Sequence, residues 1–578
     1  MEKKGCILRK SNYPTQQPNR EMICHTPTVK RLSHWPRTLL AAMCLVGLTA
    51  ASEPAPKPTD VELKVGIVQR FGDEPTDQLT LRATDGDRLI LRFLGGDMKP
   101  QTQQVKTVKV EVQMQPLPSP TVEEQLVLGN YRSFETAENS ALSWQAKGIE
   151  VEVTQPDRWQ VWAKRDVYKT PLVRRLLLES LNAQGNKTAY LDTQVQPLVP
   201  RVSWLVNGFR YTRQELDISS GKNPIKVSKG EKDKSPRVYG GSLRIQPNAY
   251  GTYTVVNQVP LETYLRGVVP HEIDGGAPYA ANEAQAIIAR TYALRNLRRF
   301  APDGYELCAD TQCQVYYGLT GTVKIADRAI AATRGQVLTY QNELVDALYS
   351  STTGGITAQF SDVWNGPERP YLQAVVDSSS NIWDLSRQSL ADEKNFRTFI
   401  NLKDGFNEKG WSTFRWRRQS TLTQITQDMQ RYLTKTKNPL AGFKTIKQLQ
   451  VVQRSPSGRI LKLAVHTDKG IVEIQKDDVR SAFMAPRSTL FYLDPILDKD
   501  NKTLKGYAFV GGGFGHGVGM SQTGASNLAK MGWSSQQILN FYYPAAQLQS
   551  LNDSIIFWQD KPAQPTAGAK KHGDLSLR

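Results

Sequence analysis

Residues 264–299 read YLRGVVPHEIDGGAPYAANEAQAIIARTYALRNLRR, and the rest of the chain is most readily understood as support for them. Leu265–Val269 is a short apolar run, a buried strand or short helix, that ends at Pro270; His271 and Glu272 follow where the chain is expected to turn. Beyond Gly275 and Gly276, Pro278 stands at the expected first helical position, where its missing N–H costs nothing. Ala284, Ile287, Ile288, Thr291, Leu294 and Leu297 then recur at helical spacing and give one apolar face. Glu272 is therefore expected on a tight connection between packed elements, where a rigid scaffold holds a working carboxylate. A lone Glu is more often a solvated turn acid, so other stretches must decide between the two readings.

Four do so: CADTQCQVYYG (308–318), ALYSSTTGGITAQFSDVWNG (347–366), GGGFGHGVGMSQTGASNLAKMG (511–532) and ILNFYYPAAQL (538–548). In this order and together with the first stretch, they resemble the stage II sporulation protein D / amidase enhancer (SpoIID) family over about residues 236–550. The resemblance implies an α+β fold, a mixed multi-lobed core assigned to residues 200–550. It also implies a partner class, peptidoglycan glycan strands, together with a cell-wall amidase.

Composition agrees with an exported protein. The 578 residues carry 73 Lys/Arg and 55 Asp/Glu, a net charge of +18. Residues 1–51 hold eight Lys/Arg and two Glu, then the apolar run Leu39–Ala51. Thirteen apolar residues span a bilayer poorly, and Thr49-Ala50-Ala51 offers a cleavage site, so the segment reads as a secretory signal, with a retained membrane anchor as the rival. Such a protein works in the periplasm or cell wall. A basic exported chain suits an anionic polymer. No helix-turn-helix, zinc-finger or aromatic RNA-binding pattern supports nucleic acid. Of five cysteines only Cys308 and Cys313 follow residue 51. An oxidising compartment and an even count favour a disulfide; free thiols and zinc, which some family members bind near here, are the alternatives. No His lies between His271 and His466 to complete a zinc site.

In chain order, residues 52–60 form a Pro-rich linker, and 61–100 hold opening strands at 61–70 and 87–93. A polar stretch at 100–121 separates these from residues 122–195, which contain a near-repeat: strand, helix with Ala137 and Ala141, strand, then strand, helix with Leu172, Leu176, Leu177 and Leu181, strand. This βαββαβ order predicts a small inserted module with helices on one sheet face. It resembles the sporulation-related (SPOR) repeat, which binds glycan strands stripped of their peptides. Strands resume at 202–206, 237–246 and 252–259 around a charged loop at 219–236. A helix is expected at 324–334, strands near 336–350, a lobe or insertion at 386–440, and β segments at 445–475 with a hairpin turn at Ser455–Gly458. The tail, 559–578, has a disordered composition.

Several chemistries are excluded by missing motifs. GGGFGHGVG is not followed by Gly-Lys-Ser/Thr, so it is no phosphate loop. Its glycines surround His516 and leave room for a ligand. No G-x-S-x-G elbow and no H-E-x-x-H occur, against a serine or zinc hydrolase. What remains is a single-carboxylate mechanism. The resemblance implies a lytic transglycosylase, in which the muramic acid C6 hydroxyl attacks its own anomeric carbon and yields a 1,6-anhydro sugar. One carboxyl then serves as acid and afterwards as base, without metal or cofactor. Glu272, in VVPHEI, matches the family's essential glutamate, and Val268, Val269 and Ile273 supply apolar surroundings that would raise its pKa. By the same resemblance Arg290, Gln314, Tyr316, Ser351, Gly354, Gly355, His516 and Gln522 bind and position the glycan. Tyr316, Tyr317, Trp364 and Trp383 are candidates for stacking on sugar rings, or for plain core packing. The rival function is a non-catalytic wall module that stimulates a separate amidase.

Overall fold

The strand Glu62–Phe71 pairs antiparallel with Tyr253–Pro260, so the start of the folded chain and the approach to Glu272 share one sheet. The computed structural model describes residues 60–558 apart from 223, 231, 232, 500 and 501. The signal or anchor (1–51), nearly all of the linker (52–60) and the tail (559–578) lie outside the described residues. The fold is α+β. A seven-stranded sheet runs in the order Leu307–Cys308, Glu62–Phe71, Tyr253–Pro260, Ser242–Pro247, Leu216–Ser220, Leu89–Leu94, Pro100–Val105. A second sheet is ordered Arg237–Tyr239, Ile225–Lys229, Gln78–Ala83, Thr107–Tyr131, Trp159–Ala163, Val151–Thr154, with Tyr190–Val206 also paired to Thr107–Tyr131. Alternate residues of both sheets, such as Leu63 and Val65, Leu79 and Leu81, and Val108 and Val110, enter one core.

That core is completed by helices, and the helix Tyr279–Arg295 is its centre. Helices Leu261–Glu272, Lys324–Ala332, Gln522–Lys530 and Ser535–Tyr542 all pack against it. Every residue from Ala284 to Arg295 is buried, so the single apolar face expected from periodicity is corrected to a helix enclosed on all sides. Leu297, beyond its end, is only partly buried. Most of its charged and hydroxyl groups are answered: Arg295 pairs with Asp346 at 2.7 Å and Glu343 at 2.8 Å, and Thr291 bonds the Ile287 carbonyl at 2.8 Å, whereas the buried Gln285 amide has no hydrogen-bond partner among the described residues. Of the strand and short helix both left open for Leu265–Val269, the chain takes the helix, and Pro278, expected at the first helical position, is corrected to the position before its helix. Tertiary packing of Leu261, Tyr264, Leu265, Val268 and Val269 against the core overrides the β-branched composition.

The polar stretch 100–121 is not a separator. It forms strands Pro100–Val105 and most of Thr107–Tyr131, and from Val110 the latter pairs with Tyr190–Val206 as a long ribbon. Where both faces of a ribbon are wet, as between Gln115 and Glu123, no apolar alternation marks the strand. The ribbon carries helix Phe134–Gln145, strands Val151–Thr154 and Trp159–Ala163, and helix Pro171–Ala183, in βαββαβ order with all strand neighbours antiparallel. Phe134, Ala137, Ala141 and Trp144 pack on this small sheet, and the cluster continues into Phe300, Tyr305 and Cys308 of the main body. The second helix differs from expectation: Leu181 is buried, but Leu172 is 66% and Leu176 55% exposed.

The charged loop expected at 219–236 contains the strand Ile225–Lys229, whose buried Ile225 and Val227 are too few to mark it in sequence. The lobe is larger than the expected 386–440. Strands Trp416–Thr421, Leu504–Gly511 and Phe491–Leu497 form one sheet and Ile446–Arg454, Ile460–Thr467 and Ile471–Gln475 another; with helix Leu422–Lys435 they enclose a separate core around Met429, Phe443 and Phe509. The hairpin turn at Ser455–Gly458 is present, with Gly458 N–H bonded to the Ser455 carbonyl at 2.9 Å. Among the described residues no helix is long and apolar enough to cross a membrane.

Candidate active site

Glu272 is the last residue of helix Leu261–Glu272, not a turn residue. Gly267 lets the loop 308–318 lie directly on this helix: a Cβ there would fall 2.2 Å from the Gly318 carbonyl oxygen. The docked loop donates Tyr317 N–H to the Gly267 carbonyl at 3.2 Å and Val315 N–H to Glu272 Oε1 at 2.5 Å. Cys308 and Cys313 are disulfide-bonded and close the turn from which Val315 follows. Thiol labelling of the denatured, unreduced protein is expected to find neither cysteine free; zinc released in stoichiometric amount on unfolding would contradict this.

Three elements converge on the carboxyl. The short strand Tyr349–Ser350 runs parallel to Met520–Ser521, which brings Tyr349 beside Gln522, the first residue of the next helix. Burial raises the Glu272 pKa above the usual carboxylate value; the Val315 N–H and the side chains of Tyr349 and Gln522 pull it back only in part. Tyr349 is itself held by Gln314, whose Nε2 donates to the phenol oxygen at 3.2 Å and whose Oε1 accepts from Tyr264 at 3.2 Å. His516 sits half-buried with its ring 5.0 Å from that of Trp364, and its Nδ1 accepts from Val518 N–H at 3.0 Å. Burial, reinforced by Arg480, pushes its pKa down to about 4, so the imidazole is neutral and its remaining N–H is a donor.

These groups line a cleft of about 710 Å³. Glu272, Tyr349, Ser351, His516 and Gln522 belong to its floor and sides; Ser133, Gln155 and Arg158 of the inserted module line one wall, and Tyr432, Asp477 and Arg480 of the lobe the other. Module and lobe meet through Arg132–Asp477 at 2.6 Å and Arg158–Asp478 at 3.3 Å. The other acids lining the cleft each face a cation: Glu135 pairs with Arg299, Asp157 with Lys435, and Asp477 with Arg132 and Arg480. Glu272 alone faces no cation among the described residues; its partners are a backbone amide and two neutral side chains.

The remaining expected residues lie elsewhere. Arg290 is fully buried and doubly bonded to Glu262 at 2.8 and 2.9 Å. Tyr316 is buried with its hydroxyl on Asn257 at 2.7 Å, and Trp383 is buried with its indole N–H on the Gln388 carbonyl at 2.9 Å. Neither reaches the cleft, because each is the anchor of a core. Gln314 acts through Tyr349. Gly354 and Gly355, expected to bind substrate, instead turn their N–H groups to Glu408 Oε2 at 2.9 and 3.1 Å.

Glu408 and its neighbour Asp377 were not singled out by the sequence. Both are fully buried. Glu408 Oε1 accepts from Thr353 N–H at 2.5 Å, the Thr353 hydroxyl at 2.9 Å and the Ser521 hydroxyl at 2.6 Å. Ser521 caps helix Gln522–Lys530 by accepting from Gly524 N–H at 3.0 Å. One carboxylate thus ties the loop after Tyr349–Ser350 to the residue preceding Gln522. Asp377 accepts from Tyr542 at 2.7 Å and Asn407 at 2.9 Å; burial and the Glu408 charge beside it raise its pKa well above the carboxylate range, so it holds a proton. Neither acid sits in a recognisable motif: Glu408 occupies the turn Gly405–Gly410.

Residues 249–340 match the family described as stage II sporulation protein, and residues 358–519 match a domain of unknown function (DUF8618). Over 409 residues the chain is 27% identical to the amidase enhancer of Bacillus subtilis (strain 168), covering 63% of this chain and 53% of that relative. It therefore spans about half the length of that protein. It is 27% identical over 374 residues to stage II sporulation protein D of the same strain, covering 61% of this chain and 91% of the relative. An uncharacterised protein of Brachyspira hyodysenteriae (strain ATCC 49526 / WA1) is 26% identical over 316 residues, 54% of this chain and 73% of its own. The resemblance read from the sequence holds: the chain is similar to the stage II sporulation protein D and amidase enhancer proteins, and its residues 249–340 match the stage II sporulation protein family model.

Proposed function

We propose that the protein is an exported peptidoglycan lytic transglycosylase that cleaves glycan strands and leaves 1,6-anhydro-muramic acid ends. The observation that carries this reading is Glu272: a carboxyl with a raised pKa on the floor of a long cleft, while the other acids of the cleft are committed to cations. A protonated Glu272 would donate to the bridging oxygen as the glycosidic bond breaks. The resulting carboxylate, stabilised by Val315 N–H, would take the proton of the sugar's own C6 hydroxyl as it closes on the anomeric carbon. An ordinary glycosidase needs a second free carboxylate to activate water or to attack, and a one-carboxyl site suits internal attack instead. Tyr349, Gln522 and the neutral His516 would orient the sugar, and the inserted module would hold the strand along one wall.

The second reading, a non-catalytic activator of a cell-wall amidase, is favoured by the name of one relative, amidase enhancer. Incubating purified glycan with the protein alone, with an amidase alone and with both separates the two. Soluble fragments released by the protein alone are expected; release only in the presence of the amidase would favour the activator.

A further inference from the structure

The cleft continues past Glu272. On the lobe side it opens into a second hollow of about 400 Å³ lined by Arg418, Arg480, Ser481, Met484, Arg487 and Phe514, of which Arg480, Ser481 and Phe514 also border the main cleft. Phe514 is the one large side chain in the run Gly511–Gly517 apart from His516, and it is 47% exposed although Gly511, Gly512 and Gly513 are buried. Its position is fixed by the backbone: Phe514 N–H donates to the Thr352 carbonyl at 3.0 Å and Gly515 N–H to the Arg487 carbonyl at 3.2 Å. Met484 beside it is 66% exposed.

The charges of the hollow differ from those of the main cleft. There Arg132, Arg158 and Arg299 are each paired with an acid. Here Arg418 stands exposed on the strand Trp416–Thr421, and the Arg487 guanidinium lies 5.7 Å from the Phe514 ring centre. The lining includes no acid, and neither arginine has an acidic partner among the described residues. Two uncommitted guanidinium groups beside a rigid ring and a thioether suit a ligand with one apolar face and a carboxylate: the ring stacks on the aromatic, and the arginines take the anion.

We propose that this hollow is a distal saccharide subsite for a carboxylate-bearing unit of the same polymer whose bond lies over Glu272. It rests on the glycan-cleaving reading above, because muramic acid recurs at every second sugar and carries a carboxylate itself or through an attached peptide. The protein then grips an extended acidic strand and binds long fragments in preference to short ones.

Calorimetry on the Glu272→Gln protein tests this with a disaccharide and an octasaccharide of peptide-stripped wall glycan, the same octasaccharide with its carboxyls converted to neutral amides, and a peptide-bearing octasaccharide. The stripped octasaccharide is expected to bind at least about tenfold more tightly than the disaccharide, and amidation to remove most of that gain. Arg418→Gln with Arg487→Gln, and separately Phe514→Ala, should lower the ratio of the two affinities by about tenfold. Gain confined to the peptide-bearing strand would assign the anion to the peptide; gain shown by the stripped strand and lost on amidation assigns it to the sugar. A ratio that the substitutions leave unchanged, or an amidated strand that binds undiminished, overturns the subsite. Cleavage of the same octasaccharide by the wild-type protein then shows separately whether the Glu272 reading stands. Absence of both binding and cleavage overturns the two together.

Discussion

Glu272→Gln is expected to lower glycan cleavage by roughly 10²–10⁴-fold, the usual worth of a general acid, while leaving glycan binding in place. The amide is nearly isosteric and its oxygen still accepts from Val315 N–H, but it has no acidic proton to give. The same variant should be more stable than the wild type at neutral pH. Burial raises the pKa of Glu272 above its ordinary 4.5, so the folded state disfavours the carboxylate, and stability contributed by the protonated form is lost as pH rises through the raised value. A neutral amide escapes that loss. The stability difference should therefore be present at pH 7 and disappear below the ordinary carboxylate value. Activity of the wild type should likewise fall as pH rises through the Glu272 titration. An equal rate for the Gln variant would place the acid elsewhere, and a stability difference that grew toward acid pH would contradict the burial argument.

The second large effect is expected away from the cleft. Glu408→Ala leaves the N–H groups of Thr353, Gly354 and Gly355 and the Ser521 hydroxyl without their acceptor, all in a buried place. A loss of about 3–5 kcal/mol is expected in urea unfolding. Asp377→Asn should cost about 1 kcal/mol or less, because Asp377 is already neutral and an amide oxygen still accepts from Tyr542 and Asn407. Where enough folded Glu408→Ala protein remains, its cleavage rate should also fall, since Ser521 no longer fixes the start of the helix that carries Gln522. Equal losses for the two substitutions would contradict the assignment of a proton to Asp377.

How much of this could be read in the sequence depends on the range over which each signal acts. The helix at 324, the hairpin at 455–458 and the strands leading to Pro260 were legible, because alternation and turn residues act locally. The ribbon between Gln115 and Glu123 was not, because strands wet on both faces carry no pattern. Glu272, Ser351, His516 and Gln522, singled out by their motifs, line the cleft, since those motifs sit at the ends of elements. Arg290, Tyr316, Gly354 and Gly355 belong to the same motifs but support the site from inside: Arg290 anchors Glu262, and a Cβ on Gly354 would come 2.6 Å from the Gly512 carbonyl carbon. A motif marks a region of contact with the site without telling its two faces apart. Glu408 was invisible because its role arises only when loops distant in sequence turn their N–H groups toward one point.

The most direct test of the central claim is mass spectrometry of the fragments that wild-type protein releases from purified glycan. Internal attack by the C6 hydroxyl predicts products ending in 1,6-anhydro-muramic acid, one water lighter than hydrolytic ends. Reducing ends would contradict the account, since they require an activated water and a second free carboxylate that the cleft, with Glu135, Asp157 and Asp477 all paired, does not offer.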